Sequence, residues 1–264
     1  MNQVQAKTIQ DFGEQWVNFS GANEGYYCSL EFLRDFVAPL EVEGFAGKRI
    51  IDIGSGTGRI VKMLHMAGPQ KIYAYEPSAA YEKLVQNTRD ISDTVEYRKD
   101  LGENLRESDV DYVISFGVVH HIPEPDPTMR AAHRALRPGG KVVLWLYGKE
   151  GNELYLSLVE PLRKITTRVP HSTLKNLSVA LSHPLNLYIW LCRYLPLPMR
   201  RYMRDNVGKL SPIAKVMTIY DQLNPAYAKY YTRAEAIDLL ARAGFKNIVC
   251  RNRHGYSWTV IGEK

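Results

Sequence analysis

Residues Arg49-Ile50-Ile51-Asp52-Ile53 form a short apolar run that leads directly into Gly54-Ser55-Gly56-Thr57-Gly58-Arg59, three alternating glycines followed by an amphipathic stretch. Glycine accepts positive φ and has no Cβ, so a turn of this composition lets backbone approach a ligand closely. A strand that enters such a turn and leaves as a helix is the opening unit of a parallel α/β sheet, which binds its ligand at the carboxyl ends of the strands. The dinucleotide fingerprint GxGxxG would place its third glycine at position 59, which is Arg59. The spacing is instead D-x-G-x-G-x-G, so the turn predicts a different small ligand.

The surrounding chain supports this unit. Short apolar runs over residues 49–53, 71–75, 95–98, 112–116 and 141–147 predict strands. They alternate with helical patterns over 59–66, 79–87 and 128–136, the last ended by Arg137-Pro138-Gly139-Gly140. Residues 232–264 resume the alternation: Thr232 with Glu235 reads as a capping box opening a helix to Ala243, Gly244 follows it, and strands are expected over 247–250 and 256–261. The prediction is thus an α/β fold in four parts. These are an N-terminal helical lead (1–47), a Rossmann-like core (48–148), a helical insertion acting as a lid (149–231) and the rest of the core (232–264). In the lead, Phe12, Trp16 and Phe19 share one helical spacing and Leu30, Leu33, Phe36 and Val37 another. In the insertion, apolar spacing predicts helices near 155–167 and 185–194.

The D-x-G-x-G-x-G run resembles motif I of the class I S-adenosylmethionine-dependent methyltransferases, and four further stretches are similar to that family in order and spacing. Glu76-Pro77 ends the second strand, where the family's acid holds the ribose hydroxyls, and Asp100-Leu101 follows the third, near the adenine. Ser115-Phe116-Gly117 leads into Val118-Val119-His120-His121, and Pro138-Gly139-Gly140 precedes the fifth strand. The resemblance implies a seven-stranded, mostly parallel sheet with helices on both faces. It also implies S-adenosylmethionine as cofactor, S-adenosylhomocysteine as product, and Asp52, Gly54, Ser55, Gly56, Gly58, Glu76, Pro77, Asp100, Leu101, Phe116 and Gly117 as the residues around it. A carboxylate suits the ribose position because it accepts two hydrogen bonds from vicinal hydroxyls. Phe12-Gly13-Glu14-Gln15-Trp16 is similar to an FGxxW stretch of methyltransferases acting on sugars, and the tail of the insertion, Tyr220-Asp221-Gln222-Leu223-Asn224-Pro225-Ala226-Tyr227, carries the same family-level resemblance. Trp16, Tyr26 and Tyr27 are candidates to cover the cofactor or to pack as core.

Methyl transfer to an alcohol needs the hydroxyl proton removed, and histidine is the usual base at neutral pH. His120 and His121 lie at the carboxyl end of the fourth strand, the mouth of an open α/β sheet, and Tyr147 ends the fifth. These three are the catalytic candidates, with packing as the alternative for each.

Net charge narrows the substrate question. The chain of 264 residues carries +6, divided into −4 over residues 1–148, +7 over 149–231 and +3 over 232–264. The insertion also holds eight of the 17 tyrosines. Its clusters Arg163, Lys164, Arg168 and Arg200, Arg201, Arg204 have three readings: an anionic small-molecule acceptor, such as a saccharide or glycolipid precursor met by Arg200, Arg201 and Arg204; an anionic membrane surface; or a solvated face. Oxygen of a saccharide precursor in polysaccharide synthesis is the reading adopted, with lipid or polyketide-like methylation at a membrane as the alternative. Nucleic acid fits less well, since no Asn/Asp-Pro-Pro-aromatic motif or appended nucleic-acid module is found. The three cysteines, Cys28, Cys192 and Cys250, are isolated, so neither a disulfide framework nor a metal site is expected. With no signal-peptide pattern at the N-terminus and no apolar stretch long enough to span a bilayer, a cytoplasmic setting follows, with contact at the inner membrane face as an option.

Overall fold

The computed structural model describes residues 3–18 and 25–264. Phe19 lies outside these residues. Seven strands form one sheet: β1 (Arg49–Ile53), β2 (Lys71–Tyr75), β3 (Val95–Arg98), β4 (Val110–Phe116), β5 (Leu136–Tyr147), β6 (Lys246–Arg253) and β7 (Ser257–Glu263), in the order β3-β2-β1-β4-β5-β7-β6. The first five pair in parallel, and β7 runs antiparallel to both neighbours. Chain order reverses between β1 and β4, which opens a crevice above their carboxyl ends.

The helices are α1 (Gln3–Asn18), α2 (Leu30–Val37), α3 (Arg59–His65), α4 (Ala80–Asn87), α5 (Asp126–Ala135), α6 (Glu153–Thr166), α7 (His171–Leu191), α8 (Arg200–Asp205), α9 (Pro212–Leu223) and α10 (Arg233–Arg242). Alternate strand residues serve opposite faces. Ile51, Val113, Val142 and Leu144 pack with Met129 and Ala132 of α5 and Leu239 and Leu240 of α10. Ile50, Ile72, Ile114 and Val143 pack with Phe36 of α2 and Val61 and Leu64 of α3. Burial on both faces explains why the strands read as continuous apolar runs.

Helix α10 opens with the expected capping box: Thr232 Oγ1 accepts from Glu235 N while a Glu235 carboxylate oxygen accepts from Thr232 N. The Pro138-Gly139-Gly140 run, expected to separate helix from strand, lies inside β5. Leu136 already pairs with Val110, the register then shifts, and Gly139 N donates to Lys264 O while Lys264 N returns to Gly140 O. The prolines and glycines therefore make an irregularity at the sheet's end rather than a break before it.

Helices α6 to α9 lie between β5 and α10 and cover the strand ends. Helix α7 runs far beyond the expected 185–194, through Pro184, because Leu174, Ser178, Ser182 and Ile189 form one buried face along it. Helix α9, unforeseen from sequence, starts with Ser211 Oγ accepting from Ala214 N and Pro212 in its first turn, and packs Met217, Tyr220 and Leu223 against Leu174. None of the described helices is long and apolar enough to cross a membrane.

Candidate active site

The crevice is the floor of a cavity of about 520 Å³. Its floor is the turn after β1 and the ends of β2, β4 and β5, and its roof is α1 together with the helical cover.

The glycine turn is built by β1 and α3. Gly54 and Ser55 donate their N–H groups to Tyr75 O, tying the turn to the end of β2. Gly54 lies on the cavity wall at φ +77°, and a Cβ there would sit 2.3 Å from Val118 Cγ2, so only glycine lets this strand end pass beneath the loop after β4. Gly56 lies under the indole of Trp16, whose nearest ring atom is 3.5 Å from a built Cβ. Gly58 serves packing instead: at φ +93° its Cβ would stand 2.7 Å from Thr88 Cγ2.

Glu76 is buried on the cavity wall with both carboxylate oxygens engaged by backbone, Oε2 by Gly56 N at 2.7 Å and Oε1 by Ser78 N at 2.9 Å. Burial pushes its carboxyl upward from the usual range, and the hydrogen bonds from Ser78 and Gly56 oppose this. An ionised carboxylate has about four lone-pair sites, and with the Ser78 side chain also bonded to it the group still keeps acceptor capacity for a ligand. Pro77, Leu101, Phe116 and Gly117 complete this end of the wall with Asp100, whose Oδ1 accepts from Leu101 N and Asn104 Nδ2 and whose Oδ2 pairs with Arg106. Trp16 and Phe12 close it from α1.

Arg59, at the position where a dinucleotide fold would have glycine, also reaches the wall, with its guanidinium 4.0 Å from the centre of the Tyr27 ring. Tyr27 lines the cavity whereas Tyr26 does not; the Tyr26 hydroxyl donates to Asn206 Oδ1. Asp52, Ser55, Gly56 and Gly58 lie behind the wall. Asp52 is buried, burial raises its carboxyl to about 7, and its Oδ2 has no hydrogen-bond partner.

The two histidines part company. His120 is fully buried off the cavity wall, stacked on Tyr147 at 3.8 Å and edge-on to Trp145, with neither ring nitrogen in a hydrogen bond of ordinary geometry. Its burial and the neighbouring His121 hold it well below the ordinary imidazole range. This is a packing environment. His121 is on the cavity wall. Its Nδ1 lies 2.7 Å from Tyr227 O, and because a carbonyl only accepts, Nδ1 carries the proton and Nε2 the lone pair. Nε2 has no partner. Burial lowers this imidazole to about 4, against an opposing pull from Asp221, so the ring is neutral at pH 7.

Main-chain bonds fix that carbonyl. Lys229 N donates to His120 O and Tyr231 N to Tyr147 O, which holds the segment after α9 along the end of β5. Tyr147 is buried on the wall; its hydroxyl donates to Asp221 Oδ2 at 3.0 Å and accepts from Gln222 Nε2 at 2.9 Å. Asp221 Oδ1 accepts from Gln15 Nε2 of α1, and Gln15 is fully buried. Asp221, Gln222 and Tyr227 were not among the residues expected at the site. Asp221 had a signal: it is the one acid between Asn206 and Tyr231. Tyr227 acts through its backbone, and its only signal was its place at the end of the Tyr220–Tyr227 stretch.

The arginines correct the charge reading. Arg163 is buried, donating to Gln222 O and Tyr230 Oη, so it braces the cover from within. Arg200 donates to Cys192 O and Arg193 O beyond the end of α7, Arg204 is bidentate on Asp205, and Arg201 is exposed. None of Arg200, Arg201 and Arg204 lines the cavity. The acceptor end is walled by Val159, Leu162, Leu181, Leu185, Met203 and Met217, with Arg253 buried beyond them against Asp35 and Phe36. Among the described residues no group of three His, Cys, Asp or Glu is arranged to hold a metal ion.

A family model described as a methyltransferase domain matches residues 26–249. A ubiquinone biosynthesis O-methyltransferase of Pseudomonas syringae pv. tomato is 30% identical over 133 residues, covering 45% of this chain and 56% of the relative. The Pseudomonas aeruginosa protein of the same name is 32% identical over 109 residues, covering 39% and 46%. The chain thus spans about half the length of the curated relatives it matches. Among solved structures, human N-acetylserotonin methyltransferase in complex with SAM aligns at TM-score 0.57 with 13% identity, over 96% of this chain and 56% of that one. Magnesium protoporphyrin IX methyltransferase of Synechocystis PCC 6803 with bound SAH aligns at 0.53 with 14% identity, over 89% and 82%. At these identities the likeness is one of fold.

Proposed function

The chain belongs to the methyltransferase-domain family, and from that premise we propose that it transfers the methyl group of S-adenosylmethionine to a hydroxyl of a small acceptor seated under the helical cover. The observation that carries the reading is His121: a neutral imidazole of fixed tautomer, its Nε2 unpartnered, on the wall of the cavity that also contains Gly54 and Glu76.

The residues present fit the cofactor. Glu76 retains acceptor capacity for vicinal hydroxyls, Leu101 and Phe116 offer an apolar slot for adenine, and Arg59 is a cation for a carboxylate at the glycine end. When bound, the cofactor supplies an activated methyl group on a sulfonium. The chain's share is position and proton transfer: two reactants held in line gain effective molarities of about 10⁵ M or more. His121 Nε2 would take the acceptor's hydroxyl proton as its oxygen gains the methyl group and the methyl–sulfur bond breaks, with S-adenosylhomocysteine as the leaving group. The resulting imidazolium keeps its Nδ1–H on the Tyr227 carbonyl, and the Asp221 carboxylate nearby favours that charge.

Oxygen as the accepting atom is supported by the relatives' designation as O-methyltransferases. The lining of the acceptor end is mostly apolar, with polar groups such as Tyr155, Asn206 and Gln222 set among Val159, Leu181 and Met217, and each saccharide hydroxyl left unpaired there would cost about 1–3 kcal/mol. An apolar hydroxy compound, aromatic or aliphatic, suits these walls better than the sugar suggested by the FGxxW lead. The test is calorimetry with S-adenosylhomocysteine, then a screen of hydroxylated acceptors with methyl-labelled cofactor. We expect His121→Gln to abolish labelling and to leave cofactor affinity unchanged. No heat with the cofactor product would sink the proposal, and labelling that survives His121→Gln would remove His121 as the base.

A further inference from the structure

Ten of the thirteen exposed large apolar side chains among the described residues lie on the helical cover, which is less than a third of the chain. Seven of them fall on two stripes. Leu158, Leu162 and Ile165 follow one another at helical spacing on α6, and Val179, Leu187, Trp190 and Tyr194 do so along and just past α7, with Trp190 51% and Tyr194 68% exposed. Exposed apolar side chains scattered singly are ordinary, but two such stripes on one element group are a surface that excludes water poorly.

The charge around them has one sign. From Pro161 to Arg204 the chain carries eight Lys and Arg and neither Asp nor Glu; Arg163 is buried and Arg204 is paired with Asp205, while Lys164, Arg168, Lys175, Arg193 and Arg201 are exposed. Lys215 of α9 reaches across to Asn186 of α7. The acids that flank this stretch in sequence are Asp205, already bidentate with Arg204, and Glu160 on α6, while Glu14 of α1 pairs with His171 at the start of α7. Cations ringing an apolar stripe that contains Trp and Tyr match the headgroup layer of an anionic bilayer, where lipid phosphates meet the charges and the rings sit at the boundary.

The cavity opens on the same side. Leu162 and Met199 both line it and are both exposed, 39% and 37%, so its acceptor end reaches the surface at α6 and at the turn after α7. We propose that the apolar, cationic face formed by α6, α7 and the Arg193–Met199 turn docks on an anionic lipid surface, with the acceptor mouth turned toward the membrane. Docking stands without the methyl-transfer reading. The consequence that an apolar acceptor enters from the lipid without crossing water rests on it.

The test uses the whole chain with vesicles of phosphatidylcholine alone or mixed equally with phosphatidylglycerol. The expected result is co-sedimentation with the mixed vesicles, release by salt, and a blue shift of tryptophan emission that Trp190→Phe diminishes. Leu187→Glu with Trp190→Glu, and separately Arg193→Glu with Lys215→Glu, should each weaken partitioning at least about tenfold, with S-adenosylhomocysteine affinity unchanged as the control for folding. Wild-type protein that stays in solution, or equal sedimentation of wild type and both variants, would overturn the proposal. So would a wild-type dimer in sedimentation velocity that Leu187→Glu with Trp190→Glu dissociates, since the face would then belong to a second copy. Should a variant fail to fold, the salt release and emission shift of the wild type decide alone.

Discussion

Replacing His121 by glutamine examines the buried base through stability, before any acceptor is known. An imidazole ordinarily titrates near 6.5, and burial in this fold brings His121 down to about 4. Below about 6.5 the unfolded chain takes a proton that the folded chain refuses, so this residue's contribution falls as pH drops and levels off only below 4. Linkage between those two values removes about 2 kcal/mol from the wild type between pH 7 and pH 5, undiminished by solvent because the ring is buried. Asp52 works in the opposite sense. Raised to about 7, its carboxyl is ionised at high pH at a cost that is relieved as pH falls. The wild-type curve alone therefore mixes the two, but Asp52 and His120 are present in both proteins, and their difference isolates His121. Glutamine keeps an N–H for the Tyr227 carbonyl and does not titrate. Urea unfolding of both proteins, followed by tryptophan fluorescence at pH 7, 6 and 5, should show the variant gaining about 2 kcal/mol on the wild type at the acid end. A difference that is the same at all three values would refute the buried, neutral imidazole.

Three further substitutions probe the rest of the site. Glu76→Gln leaves an amide that accepts at only one of the two backbone N–H groups of Gly56 and Ser78, and should weaken S-adenosylhomocysteine binding about tenfold or more by calorimetry; unchanged affinity would take Glu76 out of the site. Gly58→Ala forces a Cβ at φ +93° against Thr88 and should cost about 2 kcal/mol in urea unfolding, while an unaltered midpoint would mean the α3–α4 contact yields freely. Arg163→Leu removes the donors to Gln222 O and Tyr230 Oη at about 2 kcal/mol. Limited proteolysis should then cut residues 149–231 faster with cofactor affinity retained, and unchanged cleavage would argue against Arg163 as the brace of the cover.

What was legible in the sequence was local. The strand, glycine turn and helix at 49–65, Glu76 after β2 and the capping box at Thr232 and Glu235 each declare themselves within a few residues, because backbone geometry there depends on neighbours in the chain. Burial is not local, and it is where the reading strayed. Arg163 counted as a surface cation until the fold wrapped it with Gln222 and Tyr230, 59 and 67 residues away. His120 and His121 are adjacent in sequence, yet the turn after β4 puts one ring against Tyr147 and the other on the cavity wall. Helix α7 was underestimated because Pro184 reads as a breaker, whereas the buried face through Leu174 and Ile189 outweighs one lost hydrogen bond.

Separation in sequence also hides what governs the base. Asn224 Nδ2 donates to Gln15 Oε1, Gln15 Nε2 to Asp221 Oδ1, and the Tyr147 hydroxyl to Asp221 Oδ2, so α1, the helical cover and β5 share one line of hydrogen bonds. The ring of Phe12, from the same α1, lies 4.6 Å from that of His121. Helix α1 also carries Trp16 over the glycine turn, so the element that closes the cofactor end is the one that dries the histidine. Lifting α1 to admit a ligand would release Asp221 from Gln15, uncover the His121 ring and let its imidazole rise toward the ordinary range as desolvation is relieved. In this arrangement Phe12, packed on the His121 ring, and Gln15, bonded to Asp221, belong to the surroundings whose burial keeps His121 a neutral acceptor.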